Sequence, residues 1–192
     1  MIGRQIQTNL LAVLLFLATA FSGAYAQSGT TIGVEAQLYP TGFISGLQLN
    51  WPVGAHWAIQ GRVGYNLVRH RDLGEQDDER GGGFGGTLGL HRYLGRQARW
   101  QVGVRTDVWF NRIDWKNKIE EPDEEKGETK VTVLQPTLDV SYAFPIGEGL
   151  WQIRPKVSLG AEINVRTEGE EVGQGAILLI GVVLARRIGG RE

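Results

Sequence analysis

The stretch Asn50–Leu67, NWPVGAHWAIQGRVGYNL, decides how the rest of the chain is read. It is a tight turn with Trp51 on one side and Trp57 on the other, followed by strict alternation. Successive side chains of a strand point to opposite faces. Trp57, Ile59, Gly61, Val63, Tyr65 and Leu67 therefore share one face, and Ala58, Gln60, Arg62, Gly64 and Asn66 share the other. The first face is apolar; the second is polar and small. Two later turns have the same build, with Tyr93 and Trp100 around Leu94–Arg99 and Phe144 and Trp151 around Pro145–Leu150. Such rings collect where one side is apolar and the other wet. Trp51, Trp57, Tyr93, Trp100, Phe144 and Trp151 are thus expected to form an aromatic girdle at one rim of a membrane.

Working outward from this unit, the same alternation predicts strands over Thr31–Tyr39, Phe43–Trp51, Trp57–Leu67, Phe84–Tyr93, Trp100–Asn111, Val131–Phe144, Trp151–Arg166 and Ala176–Ile188. That is eight. The connections at 52–56, 94–99 and 145–150 are short, whereas those at 68–83, 112–130 and 167–175 are longer and rich in Asp and Glu. The polar run RIDWKNKIEEPDEEKGETK (112–130) breaks the alternation and reads as a long loop, beyond the ~2–5 residues usual for a hairpin. Short turns at one end and long loops at the other are the pattern of outer-membrane barrels, with the short side in the periplasm.

The first 26 residues combine an early Arg4, an apolar core from Leu10 to Ala20 and the small-x-small ending Ala24-Tyr25-Ala26. They are expected to be a cleaved signal peptide, leaving residues 27–192 as a single barrel domain. The apolar run falls short of the ~20 residues of a spanning helix. Loss of Arg4 would move the formal net charge from -1 to -2, a balance that does not suggest nucleic-acid binding. The absence of cysteine removes disulfide and thiolate-zinc frameworks. Later in the chain there is no helical span, and only helices and closed barrels satisfy their backbone in lipid, so strands must do any crossing.

Alternation alone does not say which face is outside. The polar face carries Gly33, Gly46, Gly64, Gly85, Gly89, Gly103 and Gly160, which suit a crowded interior better than a solvated exterior. Its charges, Glu35, Arg62, Arg105, Asp107, Asp139, Arg154, Lys156 and Glu162, have opposite signs on neighbouring strands, as buried charges require. These residues are the expected interior charge network. The expected fold is accordingly an all-β, eight-stranded, antiparallel up-and-down transmembrane β-barrel. A soluble lipocalin-like barrel with the faces reversed is the alternative.

With these features the chain from Thr31 to Ile188 resembles the small eight-stranded outer-membrane barrels of Gram-negative bacteria, the class of outer-membrane protein A and outer-membrane protein X. The resemblance implies an interior plugged by charged residues, an outer-membrane location in the cell envelope, and outer-membrane lipid and lipopolysaccharide as neighbours. Two features depart from it. Pro136 and Pro155 fall within strands, where each removes a ladder hydrogen bond. The chain ends LARRIGGRE without the terminal aromatic common in that class.

Candidate chemistry is sparse, and no catalytic residue, metal ligand or cofactor site is assigned. His56 and His91 fall at the periplasmic end, while His70, with Asp72 nearby, lies at the outer end without an adjacent serine. Ser45 and Ser158 stand elsewhere on their strands. The glycine run Gly81–Gly86 precedes no helix, so it is a strand entry and not a phosphate loop. The acidic set Glu120, Glu121, Asp123, Glu124, Glu125 and Glu128 could hold divalent cations or be simply solvated. Arg92, Arg96 and Arg99 would meet anionic headgroups or water. The expectation is a monomeric, non-enzymatic barrel with a structural or surface-interaction role. Its alternatives are a lipid-modifying enzyme, a narrow pore and a soluble periplasmic binding barrel.

Overall fold

The computed structural model describes residues 29–71, 73, 75–119 and 121–188. The expected signal peptide, Asp72 and Glu120 lie outside the described residues. The strands are β1 (Thr30–Tyr39), β2 (Gly42–Pro52), β3 (Trp57–Arg71), β4 (Asp78–Leu94), β5 (Trp100–Asn117), β6 (Glu125–Tyr142), β7 (Phe144–Ile146), β8 (Trp151–Glu168) and β9 (Gly175–Ile188). The short β7 continues β6 past Ala143 along the same partner, since Ser141 faces Lys156 and Phe144 faces Ile153 on β8. The nine strand segments therefore make eight staves. Every neighbouring pair is antiparallel, and β1 pairs with β9 while β6 pairs with β8, so the sheet closes without an edge.

Alternation sets the two surfaces. On β5, Trp100, Val104 and Phe110 are exposed whereas Gln101, Arg105, Asp107 and Trp109 are buried; on β8, Trp151, Ile153, Val157 and Leu159 are exposed whereas Gln152, Arg154, Lys156 and Ser158 are buried. The apolar face is the outside. Its extent can be worked from the sequence spacing, because Trp100 and Phe110 lie ten residues apart on β5. At a rise of ~3.4 Å and a tilt of ~40° they are separated by roughly 26 Å along the barrel axis, close to the ~25 Å apolar band of a transmembrane barrel.

At one end the connections are the short turns 53–56, 95–99 and 147–150, which use glycine with positive φ at Gly54, Gly95, Gly147 and Gly149. At the other end the strands run further than alternation predicted. The stretch 112–130 is not a long loop: Arg112 pairs with Lys130 and the ladder continues to Asn117 opposite Glu125. Likewise Arg71 pairs with Asp78 beyond the expected strand ends. These tips stand past the apolar band, so both faces meet water and the sequence has no reason to alternate. Around Pro136 the β6–β8 ladder skips two pairs without changing register, from Leu134 opposite Ile163 to Thr137 opposite Gly160, and the register shift lies nearer the tip, between Thr132 and Val133. Pro155 keeps its register opposite Val182.

Candidate functional site: a charged layer beneath an outward-facing cavity

Glycine on the inner face makes room for the bulky groups that fill the bore. A Cβ at Gly85 would lie 2.4 Å from Trp109, and one at Gly103 would lie 2.4 Å from His91. Both rings therefore fold flat across a neighbouring strand. Sequence spacing alone could not show this, because the pairing partner of each glycine comes from register.

At mid-height three carboxylates, Glu35, Asp107 and Asp139, meet three cations, Arg62, Arg105 and Lys156. Glu35 is 2.9 Å from the Lys156 ammonium, 3.2 Å from Arg105 and 3.4 Å from Arg62. Asp107 lies 3.0 Å from Arg62 and 3.5 Å from Arg105, and Asp139 lies 3.4 Å from Arg105 and 3.7 Å from Lys156. Neutral groups complete the layer. Gln37 Oε1 accepts from Arg62 at 2.9 Å and from Arg105 at 2.8 Å, while its amide nitrogen donates to Ser158. Thr87 accepts from Arg62 Nε and donates to Asp107, and Thr137 accepts from Arg105 Nε. His91 Nε2 is 3.2 Å from Asp139. Charges buried this deeply are tolerated only when paired and hydrogen-bonded. The layer has formal charges that cancel, and it crosses the bore from β1 to β8.

The other expected network residues are placed apart from it. Arg154 sits nearer the short turns, where Nη1 donates to Gln101, and among the described residues it forms no ion pair. Glu162 sits higher and accepts from Gln135 at 2.6 Å. Conversely Gln37, Thr87 and Thr137 belong to the layer with no sequence signal beyond a polar side chain at an inner-face position, and His91, expected only at the periplasmic end, reaches the layer through Asp139.

Of the expected girdle, Trp51, Trp57, Trp100, Phe144 and Trp151 are exposed at the short-turn end. Tyr93 is a correction. It is 3% exposed and packs inside the barrel with Ala58 and Ala98, because on β4 it shares parity with His91 and not with Leu90. Tyr142 takes the place expected of it, in edge contact with Trp100 at 4.9 Å and Phe144 at 4.7 Å. Arg92 and Arg186 lie over Trp57 and Trp151 at 5.7 and 5.8 Å.

Above the charged layer the inner face becomes apolar, which the sequence reading missed. Ile44, Trp109, Val133 and Leu179 are fully buried there, and the Arg62 guanidinium lies 5.4 Å from the Trp109 ring. Over this floor is a cavity of about 310 Å³ open toward the long hairpins. Tyr39, Val68, Ile113 and Val131 line its walls, and Val172 from the β8–β9 connection tucks in beside them. The Asn164 amide nitrogen, donating to the Val172 carbonyl at 2.9 Å, holds that connection inward, as does Thr129 donating to Glu170. Sequence alternation treats inner-face apolar residues as errors of parity, so a cavity lined by them leaves no signature until the strands are closed.

At the hairpin tips the acidic residues have local partners. Lys118 donates to Glu125 at 2.8 Å and Asp123 at 2.9 Å, and these contacts raise its pKa above the ordinary lysine value. Lys116 faces Glu124, and Arg112 pairs with Glu128. Among the described residues no group of three or more His, Cys, Asp or Glu side chains is arranged to hold a metal ion. His70 is 3.1 Å from Glu79, and Ser158 is engaged by Gln37 in the charged layer.

An apolar sleeve of the height of a bilayer, a layer of paired charges on the inner face and a closed eight-stave ladder define a small transmembrane β-barrel. No protein-family model and no curated protein matches the chain. Among solved structures it is similar to the N-terminal β-barrel domain of Pseudomonas aeruginosa OprF, at 12% identity over 83% of this chain and 98% of that one, with a TM-score of 0.44. It is also similar to Ail, the attachment invasion locus protein of Yersinia pestis, at 8% identity over 82% of this chain and 97% of that one, again with a TM-score of 0.44.

Proposed function

We propose that the chain is a non-enzymatic outer-membrane barrel, delivered by a cleaved signal peptide, that acts as a structural or surface-interaction protein through its protruding hairpins. The observation that carries this reading is the charged layer across the bore, because an eight-stave interior is just wide enough for side chains to fill and paired charges on the inner face favour a closed interior over an aqueous channel. Lipid and lipopolysaccharide are the neighbours of the apolar band. The tip acids are mostly matched by basic residues of the same hairpin, so a surface partner would meet a mixed-charge ridge, and divalent cations would act as bridges to lipopolysaccharide phosphate and not as bound cofactors. A nucleophile poised beside His70 would favour an acyl-modifying enzyme, but the contact that His70 makes is with Glu79.

The test has two parts. The mature protein should require detergent for extraction and migrate differently on a gel before and after boiling, and in planar bilayers it should give no resolved conductance steps. Steady single-channel conductance from the folded band would overturn the closed reading, and solubility without detergent would overturn the membrane reading.

A further inference from the structure

The outward cavity has a chemical bias that the structural role does not use. Its lining includes Glu75, Glu79 and Glu162 and His70, but among the described residues no Lys or Arg. The basic residues flanking His70 and Glu79 on β3 and β4, Arg69, Arg71 and Arg80, are exposed on the outer face. Glu79 faces His70 and also accepts from the Gln76 backbone N–H at 3.2 Å, whereas Glu162 meets only the neutral Gln135 amide and has no ion pair among the described residues.

A second, independent observation concerns acceptors. Asn111 is 5% exposed and lines the cavity, and its Oδ1 is buried without a hydrogen-bond partner. Asn164 Oδ1 on β8, separated from Asn111 on β5 by the single stave β6, is in the same condition. With His70 Nε2 turned to Glu79, His70 Nδ1 is also unpartnered. Buried polar atoms are normally satisfied, and each one left open costs free energy until something donates to it. Val131 and Val133 on β6 pair with Asn111 and Asn164 respectively, and Val68 and Ile113 add to the apolar lining. A ligand suited to the space therefore carries several N–H donors and a positive charge together with a compact apolar body. A volume of about 310 Å³ lies at the lower edge of the ~300–1,000 Å³ range of small-molecule sites.

We propose that this cavity is a binding site for a small amphipathic organic cation, an alkyl- or aryl-ammonium whose head is held by Glu162, Asn111 and Asn164 and whose apolar body rests on Val131 and Val133. Glu162 supplies the charge that selects the ligand, and Val172 covers it from the β8–β9 connection. The proposal depends on the barrel interior and not on the surface role of the hairpins.

The test uses the full mature barrel refolded in uncharged maltoside micelles, titrated by calorimetry at neutral pH with phenethylammonium, with 3-phenylpropanol as the neutral probe and 3-phenylpropionate as the anionic one. Phenethylammonium should bind one per barrel, at least tenfold more tightly than the alcohol, with no measurable binding of the carboxylate. Glu162→Gln keeps the shape and the hydrogen bond to Gln135, and should weaken the cation at least tenfold while leaving the weak alcohol binding unchanged. Val172→Trp should abolish both by filling the space. Each variant is first checked for the boiling-dependent gel shift, so loss of binding is read only from folded protein. Equal binding of all three probes, no saturable cation binding, or a Glu162→Gln barrel that binds phenethylammonium as the parent does would each overturn the proposal.

Discussion

Substitution of Glu35 by Gln probes the charged layer at its most connected point. The glutamine keeps the shape of the side chain but removes the one carboxylate that lies within 3.4 Å of all three cations, Arg62, Arg105 and Lys156. The layer then holds two carboxylates, Asp107 and Asp139, against three cations, a surplus of one buried charge. Breaking a buried ion pair by removing one partner typically costs ~3–5 kcal/mol, because the remaining charge stays desolvated and uncompensated. The contact with Lys156 is the shortest of the three at 2.9 Å, so adding Lys156→Met to Glu35→Gln restores two charges against two. The double variant should recover at least ~2 kcal/mol relative to Glu35→Gln, a positive coupling within the range seen for residues sharing one network. Urea unfolding in lipid bilayers, followed by tryptophan fluorescence and by the boiling-dependent gel shift, measures both. The reasoning is refuted if Glu35→Gln loses less than ~1 kcal/mol, or if the two changes simply add.

Other expected outcomes follow from the same geometry. Leu88, outward on β4 and 68% exposed, lies midway along the apolar band, so Leu88→Lys should destabilise the barrel in bilayers by ~2–4 kcal/mol; an unchanged urea midpoint would contradict the lipid-facing assignment. Gly85→Leu drives a side chain into the Trp109 ring and should cost at least ~2 kcal/mol or prevent folding, whereas Gly61→Ala, with open space at its Cβ, should leave the gel shift intact. At the hairpin tip Lys118→Ala removes two exposed ion pairs and should leave the urea midpoint in the same unfolding assay unchanged.

The strand set was legible because the apolar band forces alternation wherever both faces have a fixed environment. Trp57 through Leu67 can be read straight off as out or in, and the structure follows it residue by residue. Where the environment becomes water on both faces the pattern fades, which is why the ladders Arg112–Asn117 with Glu125–Lys130 looked like a loop. Charge pairing was legible in kind but not in membership. Sequence gives parity and approximate height, whereas the height of Arg154 and Glu162 relative to Glu35 depends on the stagger between strands. Tyr93 shows the opposite failure: a turn-flanking aromatic was assigned by proximity to the turn when its parity with His91 already placed it inside. The cavity was the least legible feature, since it arises from Tyr39, Val68, Val131 and Val172, which come from four different parts of the chain and converge only on closure.

The central claim is that the apolar face meets lipid and the polar face fills the bore. Nitroxide labels on single cysteines introduced at Val104, Leu138 and Asp114 test it directly in reconstituted bilayers, since the chain has no cysteine of its own and all three side chains are exposed on the outer face. Labels at Val104 and Leu138 should be relaxed strongly by lipid-dissolved oxygen and weakly by a water-soluble paramagnetic reagent, with the reverse at Asp114. Equal access of the water-soluble reagent to all three positions would contradict the account.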